Sequence, residues 1–324
     1  MTATTDQFRR LSAAAFCETT GFAAVDIGAR GGLDAAMLPL AWATQMIGFE
    51  PEPAEAEALQ AADPAPWKSR NVIAAAVGGV DGMATLHIPP SPESASLLPH
   101  NAEMIDWFGV AEQHSIARTI AVETRTLDGL LAEGTLPTAD YIKIDVEGAE
   151  GAILDHATRY LATTLALRVE VSFLEQRKAQ PLGWDVATLL TDRGFLILDL
   201  IAVQRWRANR LAGHPYRTKA ELPYSKPVLA QGDLIAVRDF RQVSDPAQAA
   251  KLVILTAALG YVDFAATILK HHQAAIAGLG LDLASDLRAL SAAMGGEAPG
   301  QAIRETLRDL VPLGRSLIGG LPGR

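Results

Sequence analysis

The stretch Val25–Gly32, which reads Val-Asp-Ile-Gly-Ala-Arg-Gly-Gly, places an apolar segment directly before a glycine-rich turn. The apolar segment predicts a buried strand, and the glycines let the backbone after it approach a ligand closely. The first N–H groups of a helix that follows such a turn are unpaired and point towards the ligand. The stretch therefore predicts the ligand-binding turn of an α/β protein.

The charge of this turn indicates which ligand it binds. The dinucleotide fingerprint begins with a glycine, and this chain has Asp26 at that position. A carboxylate there repels a pyrophosphate, which disfavours an NAD-dependent oxidoreductase, but it suits the ammonium group of S-adenosylmethionine (SAM), held directly or through water. The alternative is that Asp26 caps a helix.

Glu50 ends the second apolar segment, Met46–Glu50. In sheets that bind nucleosides, an acidic residue at this place accepts hydrogen bonds from the ribose hydroxyls. The alternative is a solvated glutamate among several neighbouring acids. An adenine contact is expected at the end of the next strand, in residues 74–79 with Asp81. Asp26 and Glu50 together predict a SAM site.

The most unusual stretch is Tyr141–Glu150, which reads Tyr-Ile-Lys-Ile-Asp-Val-Glu-Gly-Ala-Glu. Its apolar strand delivers Asp145 and Glu147 to the ligand-binding edge of the sheet, and strand alternation places Lys143 beside them if the strand continues that far. The lysine can stabilise both carboxylates in their charged forms. We predict Asp145, Glu147 and Lys143 as catalytic residues, with either carboxylate as the general base for an alcohol acceptor. The alternative is a helix-capping Glu147 and a structural lysine pair.

Glu170 lies in the middle of another apolar segment, where a charge is costly unless it is paired. It either faces the same cleft or pairs with Arg168 or Lys143. Together with Asp145 and Glu147 it can offer oxygens to a hard divalent cation. Because no histidine joins these acids at ligand spacing, we predict no metal.

Strand-like and helical segments alternate over residues 21–240, which predicts a doubly wound, mostly parallel, seven-stranded Rossmann-like sheet. The last two strands lack an intervening helix, which indicates an antiparallel edge. Residues 1–20 are predicted to form a lead-in helix, and residues 89–118 either a lid or a surface loop. Residues 241–324 are rich in Ala and Leu and are predicted to form a separate helical domain of about three helices.

Composition excludes several classes of protein. The chain of 324 residues has 28 Lys and Arg against 37 Asp and Glu, and this net charge of −9 argues against a general nucleic-acid binder. Cys17 is the single cysteine, which excludes an intramolecular disulfide and a cysteine zinc cluster. No apolar run reaches the ~18 residues of a membrane span, and we see no secretory signal. We therefore expect a cytoplasmic protein.

Four motifs resemble the FkbM family of SAM-dependent methyltransferases: Val25–Gly32, Gly48–Pro51, Arg125–Leu131 and Ile142–Glu150. The resemblance implies a class I methyltransferase fold, SAM as cofactor, and O-methylation of a hydroxyl on a sugar, glycan or natural product. It also implies that the cofactor contacts Asp26, Gly28, Gly32 and Glu50, and that Asp145 and Glu147 line the reaction cleft.

Arg30 departs from the family pattern, in which asparagine is frequent at this place. An arginine can reach the methionine carboxylate of SAM or an anionic acceptor, so we include Arg30 among the cofactor-binding candidates. A small-molecule or glycan acceptor is the expected partner, and the C-terminal helices are a candidate surface for a homo-oligomer. The alternative is a non-catalytic scaffold that docks a partner through its helical tail, against which the intact motifs argue.

Overall fold

The computed structural model describes residues 4–109, 115–208 and 226–295. In these ranges ten strands are numbered in chain order: β1 (Phe22–Ile27), β2 (Thr44–Phe49), β3 (Ser69–Ile73), β4 (Ala76–Val77), β5 (Gly82–Ile88), β6 (Arg118–Arg125), β7 (Tyr141–Ile144), β8 (Ala166–Ser172), β9 (Phe195–Trp206) and β10 (Val228–Arg238).

Seven of these strands form the main sheet, in the order β3-β2-β1-β7-β8-β10-β9. In this sheet β3, β2, β1, β7 and β8 run parallel to one another. β10 runs antiparallel to both of its neighbours, β8 and β9. The predicted seven-stranded α/β fold is thus confirmed. The antiparallel pair lies at the expected edge, but the strand that runs against the others is β10, one place in from the edge strand β9.

A second sheet of three strands, in the order β4-β6-β5, lies beside the main one. The segment 71–77, which was predicted as one strand, is divided between β3 of the main sheet and β4 of the second sheet. The second sheet also contains β6, which was not predicted. Half of the residues of β6 are exposed, and its sequence lacks the apolar run of a buried strand.

Helices cover both faces of the main sheet. The α-helices are Thr5–Arg9, Ala14–Thr20, Pro53–Ala61, Ala102–Phe108, Leu127–Ala132, Glu150–Asp155, Thr158–Leu161, Gly183–Asp192, Pro246–Ala258, Val262–Ala277 and residues 283–295. Short 3-10 helices span Ala35–Ala43, Pro92–Ser94 and Phe240–Gln242. The predicted lead-in helix is two helices, and the helix predicted over 247–271 is broken at Gly260, whose φ is 100°.

The helix Pro246–Ala258 is part of the core beneath the sheet. Its Leu252 and Leu255 are fully buried, in the same apolar cluster as Phe22 of β1 and Met46 of β2. The division of the chain at residue 241 stays a prediction, and the helix predicted over 301–318 lies outside the described residues. None of the described helices has the length and apolar character needed to cross a bilayer.

Candidate active site

A cavity of about 590 Å³ opens at the carboxyl ends of the parallel strands, where open α/β sheets bind their ligands. One wall consists of the turn after β1, the end of β2 and the residues around β4; the other is the acidic loop after β7 together with parts of β8, β9 and β10. Residues 91–97, from the predicted lid, also line it. The cavity is therefore large enough and suitably placed for a small-molecule site.

The turn after β1 comes into close contact with the acidic loop at Gly28. Gly28 has a φ of 87°, and a Cβ on it would lie 1.9 Å from the carbonyl oxygen of Asp145. Only glycine fits between the two segments in this arrangement. The N–H groups of Gly28 and Ala29 both donate to the carbonyl of Phe49, so β2 uses donors that we expected to face a ligand. Gly32 is not among the residues that line the cavity.

Asp26 is fully buried and does not line the cavity. Its Oδ2 accepts the N–H of Asp34 at 2.7 Å, just before the 3-10 helix Ala35–Ala43, and its Oδ1 lies 3.3 Å from Nζ of Lys143. Burial raises the pKa of Asp26 to about 7, while the contact with Lys143 acts in the opposite direction. Asp26 thus bonds the backbone of Asp34, which itself caps the 3-10 helix, and the contact of Asp26 with the cofactor stays a prediction.

Lys143 connects β1 to the acidic loop. Its Nζ lies 3.3 Å from both Asp26 Oδ1 and Asp145 Oδ2 and donates to the carbonyl of Gly28 at 3.0 Å. Burial acts to lower the pKa of Lys143, but the two carboxylates outweigh it and raise this pKa above its usual value. The expected pairing with two acids is present, but its second acid is Asp26 rather than Glu147. Alternation does not reach Glu147 because β7 ends at Ile144.

Glu147 adopts an unfavourable backbone conformation and is held by two hydrogen bonds. Its φ is 61°, a region that costs energy for a residue with a side chain. Its Oε2 accepts from Nη2 of Arg177 at 2.6 Å, and its carbonyl accepts from Oγ of Ser96 at 2.8 Å. The same Arg177 nitrogen donates to the carbonyl of Ser94 at 3.1 Å, so the arginine joins the acidic loop to residues 91–97.

The environment of Glu147 makes it a weaker acid than an exposed glutamic acid. Burial raises its pKa to about 7, while Arg177 lowers it. Sequence reasoning missed Arg177, which is only 1% exposed. It lies in a polar segment without a motif, and its burial arises from packing that the local sequence does not encode.

Glu150 shapes the acidic loop from within. Its carboxylate accepts the N–H groups of Val146 and Gly148 at about 3.0 Å and is buried. These bonds pair the backbone donors of the loop that precedes the helix Glu150–Asp155. The last acid of the motif is therefore structural, and it holds Asp145 and Glu147 at the cavity.

Glu50 and Arg30 form a network at the end of β2. Oε1 of Glu50 accepts the N–H of Glu52 at 2.8 Å and Nη2 of Arg30 at 3.2 Å. Arg30 also bonds Glu52, at 2.6 Å, and Glu52 bonds Arg118 at 2.7 Å. Glu50 is almost fully buried yet lines the cavity, and its contact with ribose stays a prediction. Arg30 lines the cavity too, but its guanidinium is turned towards Glu50.

The place predicted for an adenine contact is partly at the cavity. Ala75, Ala76 and Val77 line it, beside Phe49. Asp81 does not line it; its carboxylate accepts the N–H of Thr126 at 2.6 Å. The Arg125–Leu131 motif is likewise structural, because Asp128 accepts the N–H groups of Arg159 and Tyr160.

Three carboxylates come together in the other half of the cavity. Oxygens of Asp145, Glu147 and Glu170 lie within 4.8 Å of one another. Glu170 faces the cleft and does not pair with Arg168, which instead bonds Asp34 at 2.9 Å and Asp233 at 2.6 Å. The three acids can offer oxygens to a cation, but Lys143 and Arg177 already neutralise two of them, and the absence of a metal stays a prediction.

The family model described as "Methyltransferase FkbM domain" matches residues 26–197, more than half of the chain. This match defines the class, a SAM-dependent methyltransferase, and confirms SAM as the predicted cofactor. The chain belongs to the FkbM methyltransferase family. No curated protein sequence matches it significantly.

Solved structures resemble the chain only distantly. The magnesium protoporphyrin IX methyltransferase of Synechocystis PCC 6803, with bound SAM, is 13% identical at a TM-score of 0.33, over 72% of this chain and 80% of that one. The methyltransferase FkbM of Methylobacillus flagellatus KT is also 13% identical at a TM-score of 0.33, over 66% of this chain. The match covers only 43% of that protein.

Proposed function

We propose that the protein transfers the methyl group of SAM to a hydroxyl group of a sugar, glycan or natural-product acceptor. The observation that carries the proposal is the single cavity that joins Glu50 and its apolar surroundings to the three carboxylates. One half suits a nucleoside and the other suits hydroxyl groups. Their continuity allows two bound molecules to meet.

The nucleoside half contains the groups that a ribose and a base require. Glu50 presents a carboxylate at the end of β2, where it can accept hydrogen bonds from ribose hydroxyls. Phe49, Ala76 and Val77 supply an apolar wall for the base. Arg30 and the N–H of Glu52 fix the orientation of the Glu50 carboxylate. When bound there, SAM supplies an electrophilic methyl group on a positively charged sulfur.

The acceptor half is rich in groups that accept hydrogen bonds from hydroxyls. Asp145 is oriented by Lys143 and Glu147 by Arg177, so both carboxylates are fixed before an acceptor arrives. Trp206 adds an aromatic surface, and Phe108 packs against it edge-to-face at 5.5 Å. The concentration of negative charge disfavours phosphorylated and other anionic acceptors. This half thus suits a neutral polyhydroxylated acceptor.

Residues 91–97 are proposed to close the cavity. They are tied to the acidic loop by the bonds from Ser96 to Glu147 and from Arg177 to Ser94. A segment that excludes water strengthens every electrostatic interaction inside the site. This supports the sequence-based prediction of a lid in residues 89–118, of which residues 110–114 lie outside the described ranges.

The test combines binding with transfer. Calorimetry with SAM and with S-adenosylhomocysteine measures cofactor binding by the purified protein, and SAM carrying a radiolabelled methyl group then labels acceptors in a fractionated cell extract. Binding of both nucleosides and label recovered as a methyl ether are expected. If neither nucleoside binds, the proposal of methyl transfer is refuted. If the label is recovered on nitrogen, the proposal of a hydroxyl acceptor is refuted.

A matched pair of variants tests the acceptor half. Asp145→Asn removes a fixed carboxylate and is expected to lower turnover at least about tenfold while SAM affinity changes less than about threefold. Asp263→Asn makes the same chemical change on an exposed helix and is expected to leave both unchanged. Equal turnover of the two variants would remove Asp145 from the mechanism.

A further inference from the structure

Of the three clustered carboxylates, Glu170 differs from Asp145 and Glu147 in its partner. Asp145 contacts a cation, Lys143, at 3.3 Å, and Glu147 contacts Arg177 at 2.6 Å. In the part of the chain that the structure describes, the partner of Glu170 is a neutral amide: Nε2 of Gln231 donates to its Oε1 at 2.8 Å. Glu170 is thus the acid of the three without an ion pair there.

This difference distinguishes Glu170 as a proton acceptor. A cation in contact stabilises a carboxylate in its charged form and makes it a poorer proton acceptor. Burial raises the pKa of Glu170 well above its usual value, and the charges of Glu147, Asp145 and Glu150 raise it further. Glu147, one of the two candidates for the base from the sequence, is therefore less suited to hold a proton than Glu170, and the other candidate, Asp145, is engaged by Lys143.

The charged side chains around Glu170 are paired with groups other than Glu170. On its own strand, Arg168 is bonded to Asp34 and Asp233. On β10, the residue opposite Glu170 is Asp233, whose carboxylate is taken up by the same arginine. On the β7 side, Nζ of Lys143 lies against Asp26 and Asp145.

Gln231 is itself fixed, which determines the direction of its amide. Its Oε1 accepts from Nε2 of Gln176 at 2.9 Å, and Gln176 also donates to Oγ of Ser172 at 3.1 Å. Because its oxygen is occupied in this way, the NH₂ group of Gln231 faces Glu170. The chain Ser172–Gln176–Gln231 therefore orients the Glu170 carboxylate within the cavity.

We infer that Glu170 is the catalytic residue that accepts the hydroxyl proton during methyl transfer, and that Gln231 is its positioning residue. The inference rests on the proposed function. As the acceptor oxygen bonds to the methyl carbon, the carbon–sulfur bond breaks and its electron pair stays on sulfur. The electron pair of the O–H bond stays on oxygen, and the proton passes to Glu170. The products are a methyl ether, neutral S-adenosylhomocysteine and a protonated Glu170, which returns its proton to water.

Binding of a cation prepares Glu170 for this role. A positive charge close to a carboxyl group favours its ionised form. SAM and S-adenosylhomocysteine differ by one methyl group and one positive charge on sulfur, so only SAM brings that charge into the cavity. Binding of SAM near neutral pH should therefore release a proton from Glu170 that binding of S-adenosylhomocysteine does not release.

The first experiment measures this proton without any acceptor. Calorimetric titrations with SAM and with S-adenosylhomocysteine, each in two buffers of different ionisation enthalpy, give the number of protons released. We expect the wild type and the matched control Glu57→Gln, at an exposed position, to release more protons with SAM. We expect Glu170→Gln to show a smaller difference between the two ligands, with Glu147 as the source of what remains. An undiminished difference in Glu170→Gln would overturn the inference.

The second experiment uses the labelled acceptor fraction and single-turnover rates across pH. Glu170→Gln is expected to keep SAM affinity within about threefold, to lose about 100-fold in rate and to lose the rise of rate with pH. Gln231→Leu removes a hydrogen bond to the charged carboxylate and is expected to move that rise to higher pH, which a purely structural role would not do. A Glu170→Gln variant that keeps the wild-type pH profile would also overturn the inference.

These outcomes separate the inference from the proposed function. If the wild type does not bind SAM, the proposed function itself is wrong. If the wild type binds SAM and transfers its methyl group while Glu170→Gln does so equally well, only the role of Glu170 is wrong. Unfolding curves in urea confirm that each variant is folded before either comparison is made.

Discussion

Charged side chains around the cavity are fixed by partners of opposite charge, and this pairing decides which of them can act on a ligand. Asp26 and Asp145 share Lys143, and Glu147 holds Arg177. Glu50 is oriented through one oxygen, because Arg30 and a backbone N–H both bond its Oε1, and it also lines the cavity. When one oxygen of a carboxylate is fixed by such bonds, the other oxygen is free to accept hydrogen bonds from hydroxyl groups.

Glu50→Gln tests this role. The change keeps the shape of the side chain but removes the charge that strengthens hydrogen bonds from two hydroxyls, so SAM affinity should fall roughly 10- to 100-fold. Glu52→Gln is the control, because Glu52 bonds the same arginine without lining the cavity. Calorimetry should find the control within about threefold of the wild type. Equal losses in both variants would contradict a direct contact between Glu50 and SAM.

Arg177→Met tests the buried ion pair with Glu147. Removing one partner of a buried pair leaves the other uncompensated, so we expect a loss of about 3 kcal/mol in unfolding free energy. The control is Arg159→Met, whose arginine is 63% exposed beside Asp128 and should cost about 1 kcal/mol or less. Urea unfolding measures both variants. A similar small loss in each would show that the Arg177 pair adds little to stability.

The sequence predicted the residues at the edge of the sheet better than it predicted their partners. It placed Asp145, Glu147 and Glu50 at one cavity, because the carboxyl ends of neighbouring parallel strands lie side by side. It did not predict that Lys143 pairs with Asp26, since this contact depends on the register in which Lys143 lies opposite Asp26 across β1 and β7. Arg177 carries no signal in the sequence.

At the scale of secondary-structure elements, the site depends on how closely β1 and the loop after β7 approach each other. The approach is set at Gly28, where the space for a Cβ is taken by the carbonyl of Asp145. Gly31 also has a positive φ, of 79°, but its Cβ position is open. Substituting each glycine therefore distinguishes the energetic cost of the backbone conformation, which both share, from the cost of a steric clash, which arises only at Gly28.

Gly28→Ala is expected to disturb the site far more than Gly31→Ala. Alanine at a positive φ costs about 1–2 kcal/mol at either position. At residue 28 the methyl group must also push the acidic loop away from β1, so unfolding free energy should fall by at least about 2 kcal/mol more and SAM affinity should fall with it. Urea unfolding and calorimetry measure these effects. Equal behaviour of the two variants would contradict the close contact.

Elements with a continuous apolar face were predicted from the sequence, and elements that depend on other parts of the chain were not. β1, β7 and β8 are buried on both faces and carry apolar runs that predict strands. β6 is half exposed and pairs antiparallel with β5, so its existence depends on a partner strand. The helix predicted after the first turn is a 3-10 helix containing Pro39, whose ring nitrogen cannot donate a hydrogen bond.

At the scale of the whole molecule, the C-terminal helices complete the core. Leu252 and Leu255 of the helix Pro246–Ala258 pack in one cluster with Phe22 and Met46, so the sheet depends on this helix to cover one of its faces. Without it, apolar side chains of β1 and β2 would face water. The burial of such a face is a large part of the stability of a domain of this kind.

A chain that ends at residue 240 is therefore expected to lack a cooperative unfolding transition. A chain that ends at residue 295 keeps every described helix and should unfold in one transition. Near-ultraviolet circular dichroism during a urea titration distinguishes the two. A cooperative transition in the shorter chain would instead support the independent helical domain that the sequence predicts from residue 241.

The stability of the whole molecule should depend on pH through the acids of the cavity. Burial raises the pKa of Glu147 to about 7 and that of Glu170 well above its usual value, so the folded protein keeps protons that the unfolded chain has already lost. Where the folded state binds more protons, unfolding free energy falls as pH rises. For Glu147 the fall extends from its ordinary pKa of about 4.5 to about 7.

Glu170→Gln should remove the share of this fall that belongs to Glu170, because glutamine resembles the protonated acid at every pH. We expect the unfolding free energy of the variant to rise relative to the wild type as pH increases from about 5 to 8, at ~1.4 kcal/mol for each unit by which the pKa of Glu170 is raised. The exposed control Glu57→Gln should follow the wild-type curve. Urea unfolding at several pH values checks this, and parallel curves for Glu170→Gln and the wild type would contradict it. If the variant gains stability at high pH while it loses activity, the cavity keeps Glu170 for its chemistry at the expense of stability.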